Sequence, residues 1–363
     1  MILQVPSYYK DFHCIAGKCK DSCCIGWEID IDEDTEAYYR SVEGTFGEKL
    51  KENMEENSFI LQENGWCPFL NKEKLCDICI ELGEEALSEV CTEYPRFTME
   101  YPGVREKVLC LSCEEVGRIV FGNCEKIGWE RQRLSGEYSE EEWDKEEIQT
   151  AQRLEQVRDE AVSILQDRSH SIEKRAADYL SYINHKQQEL SGIVPEKEKA
   201  GEMTPYQCFK ERLKQYDELE VLDEEWERIK CQLADFFTPE NYENCHREFA
   251  KVNREREYEY EHLLIYFTCR YFMRAFYDDN LLTKAQFAIA GFLMIRDMDV
   301  VRYFAKGKQF SLEDRIDTVR IYAKEVEHSE ENIDCLGEAF LFEEVFSVEE
   351  LIKQILCTKT HGM

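Results

Sequence analysis

Most of the chain repeats apolar residues at three- and four-residue steps, which is the spacing of an amphipathic helix. IQTAQRLEQVRDEAVSIL (148–165) is typical. The most apolar segment, LLIYFTCRYFMRAFY (263–277), is interrupted by Arg270 and Arg274, so it predicts a buried helix. From about residue 138 onward the pattern predicts helices throughout, with one break at 191–205 that indicates an exposed loop.

The first part of the chain has short apolar pieces separated by turn-forming residues. Two helices are predicted there, over about 34–55 and about 83–92, with Asp34 as the N-cap of the first. WEIDID (27–32) and REKVLCL (105–111) predict short strands.

The change of pattern predicts a mainly α protein of two domains. Residues 1–130 form a cysteine-rich unit with short strands and helices, and residues 131–363 form an α-helical domain. Helix starts in the second domain are predicted from a hydroxyl residue followed by a carboxylate three residues on, or by proline. These starts are Ser139, Ser311, Ser347, Thr204-Pro205 and Thr238-Pro239.

Charge and composition exclude some classes of function. The 363 residues carry a net charge of −32 at pH 7, and 43% are hydrophobic, enough for a sizeable core. Nucleic-acid binding needs Lys and Arg to neutralise phosphates, so we expect no nucleic-acid partner. This charge favours either solubility alone or a partner that presents a cation, a basic patch or a lysine-bearing surface. Without a signal-peptide core or a membrane-spanning stretch, we expect a cytoplasmic protein with no membrane partner.

The 17 cysteines are unevenly spread. Eleven lie in the first part of the chain: Cys14, Cys19, Cys23, Cys24, Cys67, Cys76, Cys79, Cys91, Cys110, Cys113 and Cys124. An odd total and a reducing compartment argue against a set of disulfides. Clustered thiols in such a chain indicate metal binding, so the sequence predicts a cysteine-cluster metal-binding domain at 1–130.

Spacing alone leaves the identity of the metal open. Zinc ribbons use C-x2-C pairs, and Cys76-x2-Cys79 and Cys110-x2-Cys113 are two such pairs, but 30 residues separate them, more than is usual. Iron–sulfur clusters accept four thiolates at irregular spacings. Because thiols are abundant and histidines are few, we favour an iron–sulfur cluster, with zinc as the alternative. Two sites, or one site with spare thiols, both stay open.

Four segments carry a family resemblance. They are PSYYKDFHCIAGKCKDSCCIGWEIDID, CPFLNKEKLCDICIELGEEAL, CTEYPRF and LSCEEVGRIVFG. In this order, over about residues 1–122, the chain resembles the flagellin lysine-N-methylases, which belong to a wider group with a zinc- or iron-chelating cysteine-cluster domain. The resemblance implies N-methylation of lysine side chains on flagellin, with S-adenosylmethionine as the methyl donor.

The resemblance also implies a set of metal ligands. Its cysteine pattern falls on Cys14, Cys19, Cys23, Cys24, Cys67, Cys76, Cys91 and Cys113. Cys79 and Cys110 lie outside that pattern, which weakens a zinc site made of two C-x2-C pairs. The YPR that follows Cys91 matches the family as well.

Aromatic residues that flank the cysteine motifs are candidates for the chemistry. Methyl transfer to lysine requires a neutral amine, positioned in line with the sulfonium methyl group and shielded from water. Tyrosine hydroxyls can orient an amine, and aromatic faces stabilise its cationic form. The candidates are Tyr8, Tyr9, Trp27 and Tyr94, of which Tyr9 and Tyr94 form the predicted catalytic set together with Arg96. Packing around the metal site, or an internal ion pair for Arg96, is the alternative.

Familiar methyltransferase signals are absent from the sequence. No two glycines are separated by one residue, so there is no G-x-G loop. The radical S-adenosylmethionine spacing C-x3-C-x2-C also fails, because Gly26 stands where its last cysteine belongs. The competing interpretation is a non-catalytic metal- or iron–sulfur-binding protein, either a carrier or an interaction module. A thiol redox protein is a weaker third, because no βαβ pattern surrounds Cys76 and Cys79.

Overall fold

The computed structural model describes residues 1–20, 22–26, 29–134, 143–192 and 203–357, and within them the chain is mainly α, as predicted. The helices are, in chain order, α1 (Glu33–Ser41), α2 (Gly44–Glu52), α3 (Asp77–Leu82), α4 (Glu89–Glu93), α5 (Glu114–Phe121), α6 (Lys145–Leu165), α7 (Ile172–Ser191), α8 (Pro205–Asp217), α9 (Glu224–Phe236), α10 (Tyr242–Val252), α11 (Glu257–Tyr271), α12 (Ala275–Asp278), α13 (Leu281–Ala305), α14 (Leu312–Glu327), α15 (Glu330–Phe342) and α16 (Val348–Leu356). None of these described helices has the length and apolar character that a membrane crossing requires.

Short strands accompany the helices: β1 (Ile2–Pro6), β2 (Met54–Glu55), β3 (Ser58–Phe59), β4 (Arg96–Tyr101), β5 (Val104–Leu109) and β6 (Trp129–Arg133). Four of them form a mixed sheet of order β4-β5-β1-β6, in which β1 is parallel to β5 and antiparallel to β6. The strand predicted over 105–111 is confirmed as β5. Gly103, in the turn between β4 and β5, has a φ of 77°, a left-handed conformation that glycine adopts without steric cost.

Two hydrophobic clusters form the interior of the described residues. The smaller cluster lies within residues 29–91 and includes Tyr39, Phe59 and Phe69. The larger cluster joins the four-stranded sheet to α5 and to the helices from α6 to α16. The sheet therefore packs with the helices, and it brings the segment after β5 against them. The domain boundary near residue 130 stays a prediction.

Helix α13 runs through the middle of the larger cluster. Its residues 285–301 are all buried, which is typical of a helix that is packed on every side. Helix α11 packs against it so closely that a Cβ on Gly291 would lie 2.8 Å from Phe267 Cζ. The buried helix predicted over 263–277 is confirmed by α11, which continues through a 3₁₀ turn into α12.

The predicted helices of the first part are wrong in their bounds. The one over 34–55 is two helices, α1 and α2, and α1 begins at Glu33 because the N-cap is Asp32 and not Asp34. The Asp32 carboxylate accepts a hydrogen bond from the backbone N–H of Thr35 at 2.9 Å, which satisfies a free donor at the helix start.

The helix predicted over 83–92 is also interrupted. Gly83 has a φ of 97° and ends α3, and a 3₁₀ turn precedes α4. The predicted strand over 27–32 is reduced, in its described part, to an isolated bridge between Asp30 and Ser58.

Three predicted helix starts are confirmed. Thr204 and Ser311 each form a capping box with the residue three positions on. Ser347 accepts a hydrogen bond from the backbone N–H of Glu350. These local signals are reliable because each involves only side chains and backbone of one helical turn.

The start predicted at Thr238-Pro239 is wrong, because α10 begins later, at Tyr242. Thr238 and Asn241 instead bond to each other's backbone N–H groups, which holds a turn in front of the helix. The start predicted at Ser139 and most of the loop predicted at 191–205 lie outside the described residues.

A buried ion pair connects the sheet to the helices. Arg158 Nη1 of α6 donates to both carboxylate oxygens of Glu106 in β5, at 2.7 and 2.8 Å, and the two side chains are at most 2% exposed. Gln4 of β1 donates to the same carboxylate at 3.2 Å. The indole of Trp129 in β6 lies 4.6 Å from the guanidinium carbon. Three strands and one helix therefore meet at this pair.

Substitution of Glu106 by glutamine (Glu106→Gln) should leave the guanidinium of Arg158 buried without its counter-charge. Removing one partner of a buried pair typically costs about 3–5 kcal/mol, so the free energy of unfolding in urea should fall by that amount. Glu211→Gln, which breaks the exposed pair with Lys214, is the control and should cost no more than about 0.5 kcal/mol. Equal effects of the two substitutions would contradict the connecting role of Glu106.

Candidate functional site

One group of predicted metal ligands lies in the smaller hydrophobic cluster. Cys67 is buried there, and Cys24, Cys76 and Cys91 pack against the same residues. The backbone N–H of Cys67 donates to the carbonyl of Cys24 at 2.8 Å, and a β-bridge between Leu70 and Cys76 folds the chain back. Burial and, to a smaller extent, the other three thiols raise the pKa of Cys67 to about 12. Cys24, Cys76 and Cys91 therefore lie close enough to Cys67 to affect its pKa.

A second group lies between the N-terminal loop and α5. Burial raises the pKa of Cys19 to about 12, and Cys113, Glu114 and Cys14 make smaller contributions to this increase. Burial also raises the pKa of Cys113 to about 11, and Cys14 again contributes. The backbone N–H of Lys20 donates to the Glu114 carboxylate at 2.8 Å, which fixes this loop on α5.

Cys23 and Cys24 stand between the two groups. Their sulfur atoms are 4.0 Å apart, and this contact lowers the pKa of Cys24 to about 7 and raises that of Cys23. Cys91 and Cys14 also raise the pKa of Cys23, so its thiol is near both groups. The eight predicted ligands therefore form two adjacent sets.

The thiols fit a metal by their chemistry, since thiolates alone can hold zinc or an iron–sulfur cluster. However, no three Cys, His, Asp or Glu side chains of the described residues lie close enough together to share one ion. A metal would have to draw the thiols of a group together. The metal and its eight ligands stay a prediction.

A buried polar network, which we call the Cys110 cluster, adjoins the second group because Cys113 directly follows it in the chain. It lies where the segment after β5 meets the C-terminal ends of α11 and α14. Its members are Tyr94, Cys110, Ser112, Tyr266, Arg270, Tyr271, Glu327 and His328.

The outer part of the Cys110 cluster is centred on Ser112. Its hydroxyl donates to the sulfur of Cys110 at 3.0 Å and is hydrogen-bonded to His328 Nε2 at 2.8 Å and to the Tyr94 hydroxyl at 3.1 Å. Tyr94 and His328 are partly exposed, whereas Ser112 and Cys110 are buried. This layer leads from the surface toward the interior.

The inner part of the cluster is centred on Glu327. Its Oε2 accepts hydrogen bonds from Tyr266 at 2.8 Å and Tyr271 at 2.7 Å, and it lies 3.2 Å from Arg270 Nε. Its other oxygen, Oε1, is buried without a hydrogen-bond partner in the described part of the chain. The ring of Phe97 lies over the guanidinium, with 3.4 Å between ring centroid and Cζ.

Burial sets the protonation of both titratable residues at the end of α14. It raises the pKa of Glu327 to about 7, although Arg270 opposes the shift, and it lowers the pKa of His328 to about 4. Glu327 is also the last residue of α14, where the helix dipole presents its negative end. A carboxyl group held in such a costly position, with a pKa near neutrality, is a candidate for proton transfer.

The predicted catalytic residues are only partly brought together. Tyr94 belongs to the Cys110 cluster, whereas Arg96 lies at the start of β4 with its guanidinium carbon 5.4 Å from the Phe12 ring centroid. Tyr9 lies in a 3₁₀ turn and packs against the larger hydrophobic cluster. Trp27 is outside the described residues. The catalytic roles of Tyr9, Tyr94 and Arg96 stay predictions.

The sequence patterns do not predict the inner residues of the cluster. Arg270 only interrupts an apolar run there, although an arginine in a buried helix is itself a signal of a partnered or functional charge. Glu327 is one of many glutamates in the chain, and its neighbours in the sequence give no signal of its burial. Cys110 is part of a C-x2-C pair, but it lies outside the cysteine pattern of the family.

Comparison with known proteins identifies the family of the chain. Residues 158–354, more than half of the chain, match the family described as FliB lysine N-methylase C-terminal domain. The chain belongs to the FliB lysine N-methylase family, which confirms the resemblance found in its first 122 residues. The matched segment contains α11 and α14, and with them the inner residues of the Cys110 cluster.

Individual relatives are similar over a shorter length. The flagellar biosynthetic protein FliU of Salmonella muenchen is 30% identical over 125 residues, which are 31% of this chain and 72% of that protein. The lysine-N-methylases of Salmonella choleraesuis and Salmonella typhimurium are each 29% identical over 124 residues. Those matches cover 31% of this chain but only 30% of either lysine-N-methylase. No solved structure matches the chain.

Ionisation of Glu327 should make the fold less stable as pH rises. The folded state keeps a proton on this carboxyl group up to a pKa of about 7, above the unfolded value of about 4.3. The free energy of unfolding should therefore fall as pH rises from about 4.3 to about 7, by up to about 1.4 kcal/mol per pH unit. Glu327→Gln cannot ionise and should remove this dependence.

Urea unfolding of both proteins between about pH 5.5 and pH 8 measures the effect. The stability of the natural chain relative to Glu327→Gln should fall up to about pH 7 and then level off. A difference that does not vary with pH would show that Glu327 ionises normally in the folded protein.

Proposed function

We propose that this protein transfers a methyl group from S-adenosylmethionine to lysine side chains of flagellin. The observation that carries the proposal is the match of residues 158–354 to a lysine N-methylase family, because this segment supplies the buried acid and tyrosines of the Cys110 cluster. The flagellar name of one relative and the lysine-N-methylase names of the others support flagellin as the substrate.

The Cys110 cluster has the properties that methyl transfer to an amine requires. The reaction needs a deprotonated amine, held in line with the donor and away from bulk water. Glu327 and Cys110 are buried, and the hydroxyls of Tyr266 and Tyr271 can orient polar groups beside them. Partly exposed Tyr94 lies on the outer side, where its ring face can stabilise a methylated ammonium.

We also propose a metal centre held by the predicted cysteines. Cys24, Cys67, Cys76 and Cys91 would hold one site, and Cys14, Cys19, Cys23 and Cys113 would hold a second one beside the Cys110 cluster. The irregular spacings and the scarcity of histidine favour an iron–sulfur cluster over zinc. A bound centre of this kind would cross-link the loops and place a polarisable charge near Tyr94.

Incubation of the purified chain with labelled S-adenosylmethionine and flagellin tests the function. Label should appear on flagellin lysines, identified by mass spectrometry, and flagellin whose lysines have been chemically acetylated is the control. A metal-loaded protein that leaves flagellin unlabelled would favour the non-catalytic metal-binding interpretation.

The metal centre should be visible on anaerobic purification. We expect a brown protein with iron and inorganic sulfide, and we expect Cys67→Ser and Cys113→Ser each to lower the iron content. Cys231→Ser, at an exposed cysteine outside both groups, is the matched control and should change neither colour nor iron. A colourless protein with stoichiometric zinc would reverse the choice of metal, and a protein with neither would remove the centre.

The net charge of −32 should steer lysine-bearing surfaces toward the enzyme. Salt screens such a field over about 8–10 Å at physiological ionic strength, so the second-order rate with flagellin should fall as salt rises. The rate at saturating flagellin should change little. Methylation rates over a salt series measure both quantities, and a low-substrate rate that is flat across the series would leave the acidity as a matter of solubility alone.

A further inference from the structure

We propose that Glu327 is the catalytic residue that accepts the proton of the substrate lysine, with Oε1 as the receiving atom. The inference rests on the proposed function, and it names the group that prepares the amine for methyl transfer. Tyr266 and Tyr271 act as positioning residues because they hold Oε2 and so turn Oε1 away from themselves.

The argument starts from the unequal use of the two carboxylate oxygens. The Glu327 side chain is 0% exposed. All of the polar partners of this carboxylate in the described ranges lie at Oε2, and Oε1 has no hydrogen-bond partner there. Leaving a buried acceptor without a donor is costly, so native proteins rarely do it without a reason.

Glu227 Oε1 also lacks a hydrogen bond, but it lies 2.6 Å from Lys230 Nζ on a side chain that is about half exposed. Six other buried carboxylates of the described residues differ from Glu327, because each has a polar partner on both oxygens: Glu106, Glu259, Glu261, Asp297, Asp299 and Glu325. These six carboxylates are structural by this criterion. Glu327 has a vacant acceptor position that an amine N–H can fill.

The charges around Glu327 favour a neutral amine. Arg270 lies 3.2 Å from Oε2, and its fixed positive charge disfavours an ammonium ion beside it. A lysine in water has a pKa of about 10.4, roughly three units above that of Glu327, and burial lowers the pKa of an amine by up to three to five units. The titratable groups that face the carboxyl group are Cys110, Tyr266, Arg270, Tyr271, Tyr322 and His328.

The outer part of the Cys110 cluster supplies a polar route to the acid. Tyr94 and His328 are partly exposed, and both are hydrogen-bonded to the Ser112 hydroxyl. The Cys110 sulfur accepts hydrogen bonds from the hydroxyls of Ser112 and Tyr266, which continues the route to the inner part. Because burial lowers the pKa of His328 to about 4, its ring is neutral at pH 7 and does not repel an incoming ammonium ion.

The step balances as follows. An N–H bond of the lysine ammonium breaks and an O–H bond forms at Glu327 Oε1, which leaves a neutral amine and a neutral acid. The amine lone pair then forms the N–C bond to the sulfonium methyl group while the C–S bond breaks, and its electron pair stays on sulfur as a thioether. The product is a methylated ammonium, and Glu327 returns its proton to solvent.

The test compares Glu327→Gln with Glu325→Gln. Both acids lie on α14, both are buried, and burial raises the pKa of each to about 7, but the oxygens of Glu325 accept from the backbone N–H groups of Leu222 and Asp223. Glu327→Gln should lower kcat about 100- to 10,000-fold with little change in KM, the range for loss of a general base. It should also remove the rise of kcat through pH 7.

Glu325→Gln is expected to keep kcat and its pH profile, whatever its effect on stability. Should Glu327→Gln fail to fold, Glu327→Asp carries the test, because it keeps a carboxylate and should retain the pH profile at a lower kcat. A Glu327→Gln protein that is folded and as active as the natural chain would overturn the inference while leaving the proposed function intact.

A binding measurement separates the inference from the proposed function. n-Butylamine mimics the lysine side chain, and its affinity for the natural chain, measured by calorimetry, should rise as pH passes 7 and Glu327 ionises. The rise should persist in Glu325→Gln and vanish in Glu327→Gln. If the affinity for butylamine rises in this way while flagellin stays unmethylated, the proposed function fails and the amine site stands. If the affinity of the natural chain does not rise, the amine site is overturned.

Discussion

The fold depends on the pairing of charges that are buried among the helices. Arg158 with Glu106 holds the sheet on α6, and Arg212 with Asp297 holds α8 on α13. An uncompensated charge in such an interior is costly, so each pair determines which elements can be neighbours. Against this background Glu327 is unusual, because the same interior leaves one of its oxygens open. Because the carboxylates of these pairs have partners on both oxygens, the open oxygen of Glu327 is recognisable as an exception.

Several local features of the helical part could be predicted from the sequence. The helix over 148–165 follows from its apolar spacing, and the capping box at Ser311 follows from a single turn. The Cys110 cluster could not be predicted in this way. Tyr266 is 156 residues from Cys110 and 61 residues from Glu327, so their contacts exist only after α11 and α14 have packed. Neither hydrophobic periodicity nor the spacing of cysteines indicates a contact between residues so far apart in the chain.

The two halves of the chain carry their family signals differently. In residues 1–122 the resemblance rests on a short, ordered set of cysteine motifs, which can be recognised in a single sequence. In residues 158–354 the family is identified by a match over the whole segment, in which the sequence shows no sharp motif. The cysteines alone indicate the proposed metal centre, whereas the helical segment contains Glu327, the buried acid to which we assign the proton transfer.

Gly291 has a further consequence for the interior. A Cβ there would lie 2.8 Å from Phe267 and 3.1 Å from the Tyr322 hydroxyl. Phe267 follows Tyr266 directly on α11, so a displacement of the Phe267 ring would also move the Tyr266 hydroxyl that donates to Glu327. The geometry around Glu327 thus depends partly on a missing methyl group on α13, a helix that supplies none of the described hydrogen bonds of Glu327. Substitutions confined to the hydrogen-bond partners of Glu327 would leave this close approach of α11 and α13 unchanged.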